Sequence, residues 1–544
     1  MSYLYNDNLD DPLAMDACLT FTGGQVSNVR ANLLAPEQYA EGVNVDIDRF
    51  GAVVTRRGTD TQLGTVPGPD EDDWESIAVN WESHGLYWNN AAGIIRGLAY
   101  YDKPGTEEMF AVADGILYKS TGSTWASVSG FTPTSTNNVD FAQLVDKLYM
   151  TQGTGNVFSY NGTTVTDEGS GATDPPTCKY LVTHTNRLFA AGLTVPDSLA
   201  CSDLLDGGTW DATNDVIRIG GGDGDPIKGI QPWYDHLLLV FKERSIFAVN
   251  TDPTATSAAN WIVNNIDRNI GCVSHRTITQ VGSDVFFLAP DGIRTVKTIL
   301  QGAQQAISEP ISVGVQDVID DINWTAAIDQ ASAIFFENHY LLSVPTGDSE
   351  VNNTLVVFNT ITRSFVGKWT GWNAESFAIS AFSGLTKLNA ATSDGTVLTW
   401  LHYVQDSNEA DSTYQDAGSD YISSVLTRGL TFGEPFNEVQ PQHVEVELKP
   451  ALSTTVELKP IFDSVTEGTR LNTSNIDTKI SKVLLPQVLP FTLPVERAII
   501  NSYNMMMRGP CREVQFKVSS TSNKMHLRAI RGSAFVNTMV LENE

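Results

Sequence analysis

Short apolar stretches, set apart by polar and turn-forming residues, recur through the middle of the chain. They occupy 109–114 (MFAVAD), 147–152 (KLYMTQ), 187–192 (RLFAAG), 237–242 (LLLVFK), 285–290 (VFFLAP), 340–345 (YLLSVP) and 388–393 (LNAATS). Their starts lie 38, 40, 50, 48, 55 and 48 residues apart. Each is too short for a helix and rich in β-branched, aromatic or small residues, so each reads as a buried strand. Asp146, Asn186, Asp235, Asp284 and Asn338 stand one or two residues before five of them. These side chains tolerate left-handed backbone and bond their own turn amides, which predicts a tight hairpin at each. Preceding strands are expected at 141–145, 227–234 and 331–337. Following strands, often entered through Asp-Gly, are expected at 115–119, 157–160, 245–249, 293–296, 355–358 and 397–401. Weaker fourth strands fall at 261–264 and 364–369.

One unit of three or four antiparallel strands cannot bury both of its faces, whereas units stacked around a circle can. Repetition every 38 to 55 residues therefore predicts an all-β chain with a β-propeller of about seven blades, lacking the Trp-Asp and Gly-His signatures of WD repeats. A row of separate sandwiches is the alternative. Residues 43–57 (VNVDIDRFGAVVTRR) pattern as a hairpin around Phe50-Gly51, and the last unit, from about Ala374, is one strand short. The expected organisation is an N-terminal arm over 1–60 whose strands close the last blade, a propeller over 61–405, a polar linker over 406–420 and a C-terminal β-sandwich over 421–544. Within that sandwich VELKP occurs at 446–450 and again at 456–460, which reads as two strands joined by a short turn, with proline at edge positions.

Composition narrows the function. The 544 residues include 34 Lys or Arg and 64 Asp or Glu, a formal charge of −30, and the charge is unevenly placed. Residues 445–544 hold 10 acids and 12 bases (+2), leaving 54 acids and 22 bases (−32) in residues 1–444. So acidic a body does not grip a phosphate backbone, because that affinity comes from bases displacing counterions. Apolar runs such as 237–241 are five residues long against the about 20 that span a membrane. The N-terminal sequence has no basic or apolar leader pattern, so Sec-type secretion is not expected. Five scattered cysteines without a CxxC pair argue against a disulfide scaffold or thiolate zinc site and suit assembly in a reducing cytosol.

Motifs for chemistry are sparse. Eight dispersed histidines include no i, i+4 pair, and HExxH, GxSxG and GxxxxGK[ST] are absent. His236 and His339 follow hairpin turns and are expected to be structural. The stretch 220–226 (GGGDGDP) offers Asp223 and Asp225 as conceivable Ca²⁺ ligands, but it is too short for an EF-hand and equally suits a glycine-rich inter-blade loop. Residues 70–73 (DEDD) read as a solvated loop. Residues 202–210 (SDLLDGGTW) partly match the Asp-box of sialidase propellers, a structural turn rather than a catalytic centre. No catalytic, cofactor-binding or metal-ligating residue is assigned, and no cofactor is expected.

Several strings resemble one family in order along the chain. Residues 23–58 (GGQVSNVRANLLAPEQYAEGVNVDIDRFGAVVTRRG) are similar to the opening of tail and neck propeller proteins of tailed bacteriophages, with Gly51-Ala52-Val53 and Arg56-Arg57-Gly58 at its glycine and arginine positions. Residues 238–246 (LLVFKERSI), 271–275 (GCVSH) and 287–293 (FLAPDGI) resemble its central part, 202–210 its "SD…W" stretch, and 421–436 (YISSVLTRGLTFGEPF) the approach to its C-terminal sandwich. The nearest role is the tail hub or nozzle of short-tailed phages, sometimes described as DNA-stabilisation protein. The resemblance implies a homo-oligomeric ring, usually a hexamer, below the portal and adaptor and in contact with a needle, spike or fibre. It implies a virion location after assembly in the host cytoplasm, and double-stranded DNA passing through without specific binding. A propeller module binding carbohydrate or a host surface, with a sugar site lined by Trp81, Trp88 or Trp233, or a propeller glycosidase, is the alternative. Exposed sandwich bases such as Lys449 and Lys459 are expected to support assembly.

Overall fold

The computed structural model describes residues 14–68, 93–169, 171–251, 258–302, 309–405, 410–433, 439–448, 455–463, 474–477, 499–504, 511–521 and 524–536. Six antiparallel sheets follow one another from residue 95 to 370. Blade one comprises Ile95–Lys103, Thr106–Ala113, Ile116–Ser120 and Trp125–Val128. Blade two comprises Asp140–Leu144, Lys147–Thr151, Phe158–Tyr160 and Val165–Asp167. Blade three runs from Tyr180–His184 through Arg187–Ala191 and Ser198–Asp203 to Asp206–Trp210, and blade four from Ile227–Trp233 through Leu237–Lys242 and Ile246–Asn250 to Ile262–Asp267. Blade five has three strands, Thr279–Val281, Asp284–Ala289 and Gly292–Thr295, followed by short helices that include Trp324–Gln330. Blade six comprises Ser332–Phe336, His339–Val344, Thr354–Asn359 and Ser364–Thr370.

Blade seven, Ala374–Ser380, Lys387–Thr392 and Val397–Trp400, takes its fourth strand from the other end of the chain: Thr59–Asp60 pairs antiparallel with Trp400 and Thr399. The first strand of each blade lies beside that of the next, and that of blade seven lies beside blade one, so the circle closes. The seven apolar stretches are the second strands. Their alternate side chains enter different cores: Met109, Ala111 and Ala113 pack toward blade seven, Phe110 and Val112 toward blade two. The same division repeats at every blade boundary, which is why these strands are apolar on both faces.

The hairpin turns differ in detail from expectation. Asn186 and Asn338 take left-handed backbone (φ 58° and 66°), but before Asp146 and Asp235 it is Val145 (φ 53°) and Tyr234 (φ 54°) that do so. The acidic side chain there follows the strained residue instead of adopting the strained geometry.

The sandwich is built from both chain ends. One sheet orders Val45–Ile47, Val53–Thr55, His526–Val536, Val439–Leu448 and Ile499–Asn504, with Ala14–Cys18 also on His526–Val536. The other continues from blade six: Ser364–Thr370, Gln38–Val43, Ile422–Thr427, Val514–Thr521, Thr455–Phe462 and Ser474–Asp477. One core runs from Trp369, Trp372 and Trp400 of blades six and seven into Val446, Val518 and Ile530 of the sandwich.

Three expectations are corrected. The hairpin at 43–57 forms, but it joins the sandwich through His526 and Leu527 rather than closing blade seven. Its Val45, Ile47 and Val53 form a one-sided apolar face that the sandwich core buries, and the closing strand is the two-residue segment after it. The two VELKP copies are not a hairpin either: Val439–Leu448 and Thr455–Phe462 lie in opposite sheets, and their Val446, Leu448, Val456 and Leu458 face one shared core. The described part of the expected linker, 410–420, is ordered onto blade seven. Asp411–Tyr414 is a 3₁₀ turn, and Gln415–Asp416 pairs with Ser419–Asp420 and, parallel, with Thr59. Its polarity serves buried ionic bonding.

Candidate functional site

Two concave regions sit where segments distant in sequence converge. The first is the propeller axis, a cavity of about 750 Å³ lined by the inner strands of the blades. Arg96, Asp140, His275 and Arg276 reach it, and His275 Nε2 lies 3.3 Å from Asp140 Oδ2. Arg276 donates to the Glu375 carbonyl oxygen. With its amide oriented to satisfy both neighbours, Gln330 donates to Glu375 Oε2 (3.1 Å) and accepts from Arg96 Nη1 (3.1 Å). Burial pushes the Glu375 carboxyl up to about 7, while the Asn352 amide and the two arginines pull the other way. These bonds tie inner strands of blades one, two and seven to the turns around blades five and six. Side-chain bonds thus lock the inner rim of the wheel.

The second region is the junction of blades six and seven with the sandwich. Arg56, 1% exposed, anchors its floor. Both terminal nitrogens meet Asp416, Nη1 at 2.9 Å from Oδ1, and the remaining donors reach Asn44 Oδ1 (3.0 Å), Thr370 O (2.9 Å) and Arg57 O (3.2 Å). The guanidinium carbon lies 4.0 Å from the Tyr421 ring centre, with Trp369 and Trp372 also beside it. One side chain thus joins the N-terminal segment, the end of blade six, the hairpin after blade seven and the first residue of the sandwich. Close by, His339 Nε2 is 3.0 Å from both Asp46 oxygens, and its Nδ1 meets the Glu337 carbonyl (2.7 Å). Burial alone would depress His339, but Asp46 lifts it above its ordinary value. Burial would likewise raise Asp46, and His339 with the Ile47 amide and Asn359 holds it below.

Above this floor opens a cleft of about 1030 Å³. Its charged lining comprises Arg49, Arg56, Arg57, Lys524, Arg528 and Arg531 against Asp46, Asp48, Glu337 and Glu447. Arg56 is already bonded to Asp416 in the floor, and the other five bases face four acids, where the whole chain carries 34 to 64. Arg528 and Arg531 stand on an outer face of the sandwich with Glu447 within 3.8 Å and 3.4 Å. Phe50, at the tip of the N-terminal hairpin, is 76% exposed with the Arg49 guanidinium 4.8 Å from its ring centre, and Leu19 beside it is 58% exposed.

The residues singled out in sequence take other places. Asp223 is held by the buried Lys242 (2.7 Å to each oxygen), and Asp225 accepts from Ser245 Oγ (2.7 Å) and the Arg244 amide (3.2 Å). Gly220, Gly222 and Gly224 all have positive φ, so that loop is glycine-rich for backbone reasons. Trp233 is buried, its Nε1 donating to Ser283 O (3.3 Å), and offers no stacking platform for a sugar. In 202–210, Asp206 caps its own turn by accepting from Gly208 N (2.9 Å) and Thr209 Oγ1 (3.0 Å), while Trp210 is buried. His236 gives its carbonyl to Thr251 (2.8 Å to the amide), and His339 has the inter-module role described above. Asp70–Asp73, Trp81, Trp88 and Lys449 lie outside the described residues; Lys459 is half-buried within its strand. The linear pattern does not bring the cations of the basic cleft together, because they come from residues 49–57 and 524–531. The Arg56-Arg57 pair and the surplus of bases near the C-terminus are the only signals of it in the sequence.

No family model matches the chain, and no curated protein does. Among solved structures, the chain is similar to BamB from Moraxella catarrhalis (12% identity, 64% of this chain and 91% of that one, TM-score 0.35). It is also similar to the computationally designed protein Ika8 (11% identity, 57% and 96%, TM-score 0.35). The fold assignment rests on the strand pairing itself.

Proposed function

We propose that this chain is a structural, non-enzymatic subunit of a ring-shaped conduit, the tail hub or nozzle of a short-tailed bacteriophage, set below the portal and adaptor. The observation that carries this reading is the partition of charge on one continuous body. Residues 1–444 hold a balance of −32, while six of the chain's 34 bases line one cleft at the propeller–sandwich junction. An acidic wall repels phosphate, so a moving duplex meets no run of sticking points. The closed wheel leaves few strand edges, and the core shared between modules makes each copy resist deformation as a unit. The inner rim of each wheel is tied by side-chain bonds between blades, so the passage in this reading is the hole enclosed by several copies. The resemblance of 23–58, 202–210, 238–246, 271–275, 287–293 and 421–436 to phage tail propellers supplies the biological role. Electron microscopy of the chain mixed with portal and adaptor tests it. The expected result is an added ring coaxial with the adaptor; particles in which portal–adaptor complexes gain no density contradict it.

A further inference from the structure

The third blade carries a feature that its own fold does not use. Its third and fourth strands, Ser198–Asp203 and Asp206–Trp210, are joined by Leu204 and Leu205, which are 53% and 58% exposed between the exposed Asp203 and Asp206. Leu205 has φ 61°, a conformation in which a bulky residue is strained and Gly or Asn would be relaxed. Its amide is tied to Asn186 O at 2.8 Å, so the tip is held rigid. A stiff acidic–apolar tip complements the junction cleft, which has surplus bases and the exposed Phe50 and Leu19. Aromatic and arginine side chains of this kind are enriched among the residues that carry protein–protein binding energy.

Position agrees with chemistry. Strand alternation puts the turn between first and second strands and the turn between third and fourth strands at the same end of a blade. The Leu204–Leu205 tip of blade three and the Glu337–Asn338 turn beside the cleft therefore lie on one face of the wheel. Blade three is three and a half steps of seven from the boundary of blades six and seven, so tip and cleft occupy opposite edges. A copy can then use its cleft toward one neighbour and its tip toward the other. Such head-to-tail contacts make rings where the rotation closes.

The geometry points to the junction cleft as the receptor for the Asp203–Asp206 tip of a second copy of this chain. This rests on the ring reading above and assigns the contact that would hold the ring.

Two variants test it by charge exchange. One reverses the cleft (Arg49→Glu, Arg528→Glu, Arg531→Glu) and the other the tip (Asp203→Lys, Leu204→Lys), with circular dichroism and melting confirming that both fold. Assembly is read by mass photometry and negative-stain microscopy, with and without adaptor. Each variant alone is expected to raise the concentration for half-assembly at least about tenfold. Mixed one to one, each reversed cleft meets a reversed tip and each native cleft a native tip, so assembly returns. It closes as rings if the copy number is even and forms open chains if it is odd. Leu204→Ala, which changes no charge, is expected to weaken assembly in the same direction. Wild-type rings that neither variant disturbs overturn this contact and leave the ring standing. Impaired variants whose mixture does not recover overturn the pairing of these two surfaces. A wild-type chain that stays monomeric with and without adaptor overturns the ring reading itself.

Discussion

Arg56 offers the most direct perturbation of how the wheel and the sandwich are held together. Arg56→Met keeps the length and apolar stem of the side chain but removes five donors, all of which are bonded in the structure. It leaves Asp416, whose side chain is only 10% exposed, as an uncompensated charge beside Trp369, Trp372 and Tyr421. Breaking a buried ion pair from one side costs about 3–5 kcal/mol. With an unfolding entropy near 2.1 cal/mol/K per residue, 544 residues give about 1.1 kcal/mol/K, so the midpoint should fall by about 3–4.5 °C in calorimetry. The double variant Arg56→Met, Asp416→Leu removes both charges and should recover most of that loss, because the stranded carboxylate is the larger part of the penalty. A drop below about 1 °C for the single variant refutes the argument. So does a double variant that falls by the sum of the two single changes.

Three further outcomes follow from the same junction. A Cβ on Gly58 would sit 1.9 Å from the Gln415 carbonyl oxygen, so Gly58→Ala should destabilise by at least about 1–3 kcal/mol in urea unfolding, and a neutral result would mean that Thr59–Asp60 does not seat as described. For Asp46–His339 the sign is set by the two shifts: a raised His339 stabilises below its unfolded value of about 6.5 and loses that as pH rises through its folded value, and a lowered Asp46 stabilises above about 3.9 and loses that as pH falls through its folded value. The melting difference between wild type and His339→Gln should therefore peak between about pH 4 and 6.5 and shrink at alkaline pH, whereas a difference independent of pH would rule out the ion pair. Deleting residues 1–60 removes the closing strand of blade seven together with Gln38–Val43, Val45–Ile47 and Val53–Thr55 of the sandwich, so both modules should lose cooperative unfolding; a fully folded remainder would contradict the closure.

The parts of this fold that could be read from sequence are those whose burial leaves a pattern. The second strand of every blade is buried on both sides, so 237–241 and 285–289 appear as unbroken apolar runs, and their hairpin partners follow from turn residues. Thr59–Asp60 is legible to no pattern method, since two polar residues carry no period, yet it closes the circle. The hairpin at 43–57 was recognisable as a hairpin but not as a sandwich element, because an apolar face does not say which sheet it will meet. Residues 406–420 read as a linker because polar residues usually face water; in the described part Asp416 is buried against an arginine 360 positions away. The junction cleft fails for the same reason, since Arg49 and Arg531 become neighbours only after both chain ends enter one sheet.

The central claim, that rigid acidic copies of this chain enclose a passage for DNA, is tested most directly by negative-stain microscopy of the purified protein over a range of concentrations. The account expects symmetric rings with a central hole at least about 20 Å across, the width of a duplex. Single wheels at every concentration, or rings whose centre is filled by protein, would contradict it.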